Sequence, residues 1–193
     1  MLTLAVLAAA AAAAQPARPL PLRPAAAHGA PGRYPSLPEV TTNDLAHCAA
    51  GHPGLQVEIT GLKARDGEIR IELYPDHDPD FLSDKDKLIY EGKTFRRIIF
   101  HPPASGAVTG CLPVPTPGRY SVAIIHDRTA DRHFNWRQDG VAFPGNPRLG
   151  LGKPPARKAW VTVGEGVTKI AVTMQYYNGF LSMGPVKDTT DDR

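Results

Sequence analysis

The chain of 193 residues is 42% hydrophobic and 21% charged, which suffices for one domain with a core or two very small ones and excludes disorder by composition. Its 20 Pro and 18 Gly, against 7% aromatic residues, exclude a long-helix or coiled-coil protein, because both residues interrupt helices and favour turns. A formal net charge of +3, from 22 basic and 19 acidic residues without clustering, excludes a nucleic-acid surface or a polybasic membrane surface.

Residues 1–14, MLTLAVLAAAAAAA, form an apolar run of signal-peptide length, short of the roughly 20 residues a spanning helix needs. A secretory signal is expected within residues 1–27, with small-x-small cleavage sites near 14 and 27, although only the initiator amine supplies a positive n-region. Cleavage at the later site removes Arg18 and Arg23 and lowers the formal charge from +3 to +1. Residues 15–38 are rich in Pro and Ala and lack apolar periodicity, so a flexible linker is expected over 28–47. No Cys follows the apolar run before Cys48, so no lipid anchor is indicated. The expected mature product has no transmembrane segment and resides in the periplasm or outside the cell.

Cys48 and Cys111 are the only cysteines. In an oxidising compartment such a pair forms one disulfide; the alternative, a redox or metal thiolate pair, lacks a CxxC spacing. From Leu55 the pattern acquires a period of two. Leu55, Val57 and Ile59 alternate with Gln56, Glu58 and Thr60; after KARDG, residues 63–67, Ile69, Ile71 and Leu73 alternate with Glu68, Arg70 and Glu72. This pattern predicts a β-hairpin, with Asp66-Gly67 tolerating the positive φ of a tight turn.

Residues 76–87, DHDPDFLSDKDK, predict a loop or short helical turn anchored by Phe81. Phe95, Ile98 and Phe100 suggest a strand with a bulge, and residues 107–111 a short one. Gly118 opens the strongest strand, with Tyr120, Val122 and Ile124 on one face and Ser121, Ala123 and Ile125 on the other. Two apolar faces predict a central strand. A long connection, residues 126–158, follows, and connections of this length carry function or are tied down. Two strands, 159–163 and 167–177, close the domain around the turn Gly164-Glu165-Gly166, and a flexible tail is expected over 179–193. The fold class read from this pattern is all-β: an antiparallel β-sandwich of about seven strands over residues 48–178, immunoglobulin-like or transthyretin-like, behind a disordered N-terminal leader.

One dense polar cluster, IIHDRTADRHFNW, opens the long connection. Asp127, Thr129, Asp131, His133 and Asn135 alternate as oxygen ligands do around a hard cation, so Ca²⁺ is one reading. Against it, Arg132 stands where Gly normally permits the sharp turn, no Glu ends the loop, and Arg128, Arg132 and Arg137 add positive charge. His126 and His133 with Asp127 or Asp131 compose a second reading, a transition-metal site. The third reading needs no cofactor: Asp127 and Asn135 accept backbone N–H bonds and organise the loop. Phe134, Trp136 and Phe143 form either an exposed aromatic platform for a ligand or an apolar strap that folds the connection onto the sandwich. GxSxG, HExxH, P-loop and GxGxxG signatures are absent, which disfavours an enzyme.

The order of LxVxIxGL at residues 55–62, DGEIRIELY, PGRYSVAIIHD, an Asn-containing loop and DGVAFPGNP resembles a bacterial exported family, domain-of-unknown-function family 2141, across residues 48–177. Gly118, Tyr120, His126, Asp127 and Pro144 match the family's pattern. Thr129-Ala130-Asp131-Arg132 departs from it where the family often carries NxNG. The resemblance implies a small secreted β-sandwich and no biochemical activity. The expected function is a non-catalytic exported module, binding or structural in the cell envelope, with an unknown envelope or extracellular ligand; the alternatives are a metal-dependent enzyme and a Ca²⁺-stabilised adhesion domain.

Overall fold

The first strand shows why the period-two pattern matters: in β1 (Gly54–Thr60), Leu55, Val57 and Ile59 are buried while Glu58 and Thr60 face solvent. A computed structural model of the chain describes residues 43–150, 152–179 and 182–186. The expected signal peptide, residues 28–42 of the linker and the tail from residue 187 lie outside the described residues.

The described residues form two packed sheets. A three-stranded sheet has the order β4-β1-β9, where β4 is Val108–Pro113 and β9 is Val167–Thr173. The larger sheet contains β2 (Glu68–Pro75), β3 (Arg96–Phe100), β5 (Gly118–Asp127), β6 (Gly140–Ala142), β7 (Leu149–Gly150), β10 (Gln175–Tyr177) and β11 (Ser182–Pro185) in the order β3-β2-β5-β6-β10-β11-β7. The remaining strand, β8 (Trp160–Val163), pairs with the first part of β5, on Gly118–Ser121, whereas β6 pairs with Ile124–His126. Pairing is antiparallel except between β1 and β9, which run parallel.

The all-β class therefore stands, with more strands than the seven expected. The additional strands β6, β7 and β11 are two to four residues long, too short to show a period, and β10 is the end of the strand expected over 167–177. Two short helices also occur, α1 (Leu45–Ala49) and α2 (Lys85–Tyr90), each capped by an Asp side chain that accepts a backbone N–H: Asp44 from His47 and Asp84 from Lys87. The β3 register runs without an inserted residue, so the expected bulge is absent from that pairing.

The predicted hairpin between β1 and β2 does not form. β1 pairs with β4 and β9, while β2 pairs with β3 and β5 in the other sheet. Residues 61–67 are an arch between the sheets, with Gly61 and Gly67 both at positive φ. The reason lies in β2, which is buried on both faces and needs a neighbour along each edge of the larger sheet. The last two predicted strands also divide: β8 joins the larger sheet and β9 the smaller, and after Met174 the chain returns to the larger sheet as β10.

In β5 every residue from Tyr120 to Asp127 is buried. Tyr120, Val122 and Ile124 pack in the core between the sheets, together with Leu55, Ile71 and Val172. Ala123 and Ile125 pack in a second core on the opposite face, under α2, the loop around Phe81 and the long connection. The larger sheet is thus covered on both sides. Cys48 of α1 is bonded to Cys111 of β4 with Cα atoms 6.1 Å apart. Asn43 completes this anchorage, donating to Thr109 O and accepting from Cys111 N along the edge of β4 that β1 leaves free.

Candidate functional site

The alternation of β2 places Ile69, Ile71 and Leu73 in the inter-sheet core, and Arg70, Glu72 and Tyr74 on the other face. The polar face of such a strand normally meets water. Here the long connection covers it, leaving Arg70 3% and Glu72 2% exposed. A cavity of about 440 Å³ remains between sheet and cover. Its floor is Arg70, Glu72 and Tyr74 of β2, Arg97 of β3, Ile125 of β5 and Val141 of β6; Leu82, Phe143, Leu149 and Met183 form apolar walls, and Arg132, Phe134, Trp136 and Lys153 stand along its side.

The charges on the floor are tied together. Glu72 is the cross-strand partner of Arg97 and accepts from its guanidinium at 2.7 Å, and its second oxygen accepts from the Tyr74 hydroxyl. Burial, followed by the adjacent Glu72 charge, pushes the Tyr74 hydroxyl pKa well above its ordinary value, so Tyr74 remains a donor. Arg70 donates to Arg132 O at 2.7 Å and lies 3.9 Å from Asp127. Its Nε is buried without a hydrogen-bond partner.

The polar cluster of the long connection does not converge. His126, fully buried, lies on the core face of β5, where its Nδ1 is 2.6 Å from the Tyr176 hydroxyl and its Nε2 is 2.8 Å from Asp66 O. A carbonyl only accepts, so Nε2 carries the proton and Tyr176 donates to Nδ1. Burial lowers the His126 pKa, and raises that of Tyr176 to about 12. Asp127 is buried and accepts from Arg132 N at 2.7 Å and from the Thr129 hydroxyl at 3.4 Å. Asp131 and Asn135 each accept from the N–H two residues on, of His133 and Arg137, and the His133 side chain is exposed. The Asp131 carboxyl is held below its ordinary pKa by the His133 N–H. Among the described residues no group of three or more His, Cys, Asp or Glu side chains is placed to hold a metal ion.

The aromatic residues divide as well. Phe143 is a core residue, 2% exposed and edge-on to Phe81, and not part of an exposed platform. Trp136 packs edge-on against Tyr177 with Arg137 over its ring, and Phe134 is 46% exposed. All three nevertheless line the cavity. Asp139 was not singled out from sequence, yet it is buried and accepts from Arg128 N and Asn135 N, closing the loop at both ends. The Asp139-Gly140 pair, a short acceptor beside a turn residue, is the signal that could have found it. Arg70, Glu72, Tyr74 and Arg97 were likewise missed as site residues.

A family model described as an uncharacterized protein conserved in bacteria, DUF2141, matches residues 57–171. That span contains every floor residue of the cavity. No curated protein and no solved structure matches the chain.

Proposed function

Since the chain belongs to the bacterial family DUF2141, which carries no assigned activity, we propose from its geometry that it is a non-catalytic exported module that binds a small ligand. The observation that carries this reading is the cavity: about 440 Å³, apolar on most of its wall, with a few convergent polar groups on a rigid sheet floor. Small-molecule sites have this size and make-up. The floor groups are engaged in ion pairs and hydrogen bonds with one another and with the covering loop. Glu72 has both oxygens occupied, Tyr74 is held protonated, and the buried His126 lies on the opposite face of the sheet. The outward splay of Asp131, His133 and Asn135 lends no support to a metal-dependent reaction in their loop.

Export rests on the apolar run at residues 1–14 and on the disulfide, which persists in an oxidising compartment. No helix among the described residues is long and apolar enough to cross a membrane.

The test uses N-phenyl-1-naphthylamine, a neutral apolar fluorophore. Saturable enhancement of its fluorescence by the full chain is expected, with affinity at least fivefold weaker in Trp136→Ala and Phe134→Ala. Absence of saturable binding, or binding that both substitutions leave unchanged, overturns the cavity as the ligand site.

A further inference from the structure

We propose that the ligand is an amphipathic monocarboxylate, its apolar body against Val141, Phe143, Leu149 and Met183 and its carboxylate on the Arg70 guanidinium. This rests on the reading that the cavity binds a ligand. Arg70 is a floor residue with hydrogen-bonding capacity visibly unspent. It is 3% exposed, one terminal nitrogen donates to Arg132 O, and its Nε is buried with no partner. Asp127, at 3.9 Å, is beyond hydrogen-bond distance and already accepts the Arg132 N–H. Glu72 is engaged instead by Arg97 and Tyr74, one donor on each oxygen.

An unpaired buried N–H on a charged group is costly, so a ligand oxygen that reaches it gains the bond without competition from another acceptor. The planar guanidinium fork matches a carboxylate. Arg132 and Lys153 add positive charge beside the cavity, whereas Glu72 is the only acid among the described residues that line it. Asp127 balances the charge of Arg70 from 3.9 Å without spending its hydrogen bonds, so Arg132 and Lys153 supply the positive charge that one carboxylate would meet. A dianion would bring a second charge into a site that holds Glu72 and has Asp127 behind Arg70.

Octanoate and 1-octanol share a chain and differ in charge, so competition of each against bound N-phenyl-1-naphthylamine at pH 7 tests the assignment. Octanoate is expected to displace the fluorophore at a concentration at least tenfold below that of octanol. Arg70→Gln is expected to abolish this preference, with both competitors read against the variant's own fluorophore affinity, while the near-ultraviolet circular dichroism persists. Because Arg70 also holds the loop through Arg132 O, a second variant, Arg132→Gln with Lys153→Gln, alters only exposed side chains and is expected to reduce the preference threefold or more. Equal displacement by the two competitors overturns the carboxylate assignment and leaves the cavity reading standing, as does a preference that survives both variants. Absence of fluorophore binding to the unaltered chain overturns the cavity reading itself.

Discussion

His126 couples the fold to pH through a single proton. In the folded chain it is neutral, donating to Asp66 O and accepting from Tyr176, whose oxygen already accepts the Lys63 N–H. A second proton on the imidazole would require the Tyr176 hydroxyl to turn from donor to acceptor and give up the bond it donates to Nδ1. Because burial holds its folded pKa below the ordinary 6.5, the unfolded chain binds more protons just below that value. The stabilisation is therefore complete above about pH 6.5 and is lost as pH falls through the folded pKa, with a slope of at most about 1.4 kcal/mol per pH unit. Urea unfolding at pH 7, 6 and 5 should show this decline. His126→Gln, which retains a donor and an acceptor without titrating, should flatten the corresponding part of the profile. At this scale the sequence was legible for His126 and Asp127 as strand-end polar residues. It was not legible for Arg70 and Glu72, because a charged residue on alternate positions reads as a solvated face until the covering segment is known.

At the scale of elements, the two faces of β5 could be read directly, since an apolar residue at every position has no other economical explanation than burial on both sides. The pairing of β1 and β2 could not. Two alternating runs joined by a turn signal fit a hairpin and an inter-sheet arch equally well, and the edges each strand needs are supplied by β4, β9, β3 and β5, all distant in sequence. Gly67 shows what the arch demands. It sits at φ +71°, and a Cβ there would collide with the backbone of Asp127 and Arg128 at the end of β5. Gly67→Ala should therefore destabilise the fold by about 3 kcal/mol, combining left-handed strain with displacement of a paired strand. A shift of the urea midpoint at unchanged slope is the measurement; a neutral substitution would show that the arch relaxes freely.

Across the whole molecule, the larger sheet separates two cores of different character, one apolar apart from the His126–Tyr176 hydrogen bond and the other interrupted by paired charges and a cavity. The disulfide clamps the start of the described chain to β4 across a separation of 63 residues. In the chain-entropy account such a link contributes about 4 kcal/mol. Cys48→Ser with Cys111→Ser should lower the unfolding free energy by that order. In the unaltered exported chain neither thiol should react with an alkylating reagent before reduction, and mass spectrometry reads both outcomes. The pair was legible because two cysteines permit one intramolecular pairing, whereas the cavity depends on how a connection of some thirty residues closes over a sheet.

The parallel contact between β1 and β9 also imposes an order in time. When β1 leaves a ribosome or a translocation channel, more than a hundred residues separate it from the strand that completes its second edge. Until Thr173 emerges, β1 has only β4 beside it, and the smaller sheet consists of two strands, a size that is marginal alone. Contacts this distant in sequence slow folding and prolong exposure of unpaired edges. Truncation before β9 should therefore leave a chain that fails to complete the sandwich, and the nascent protein must be kept from pairing with its neighbours until its end arrives.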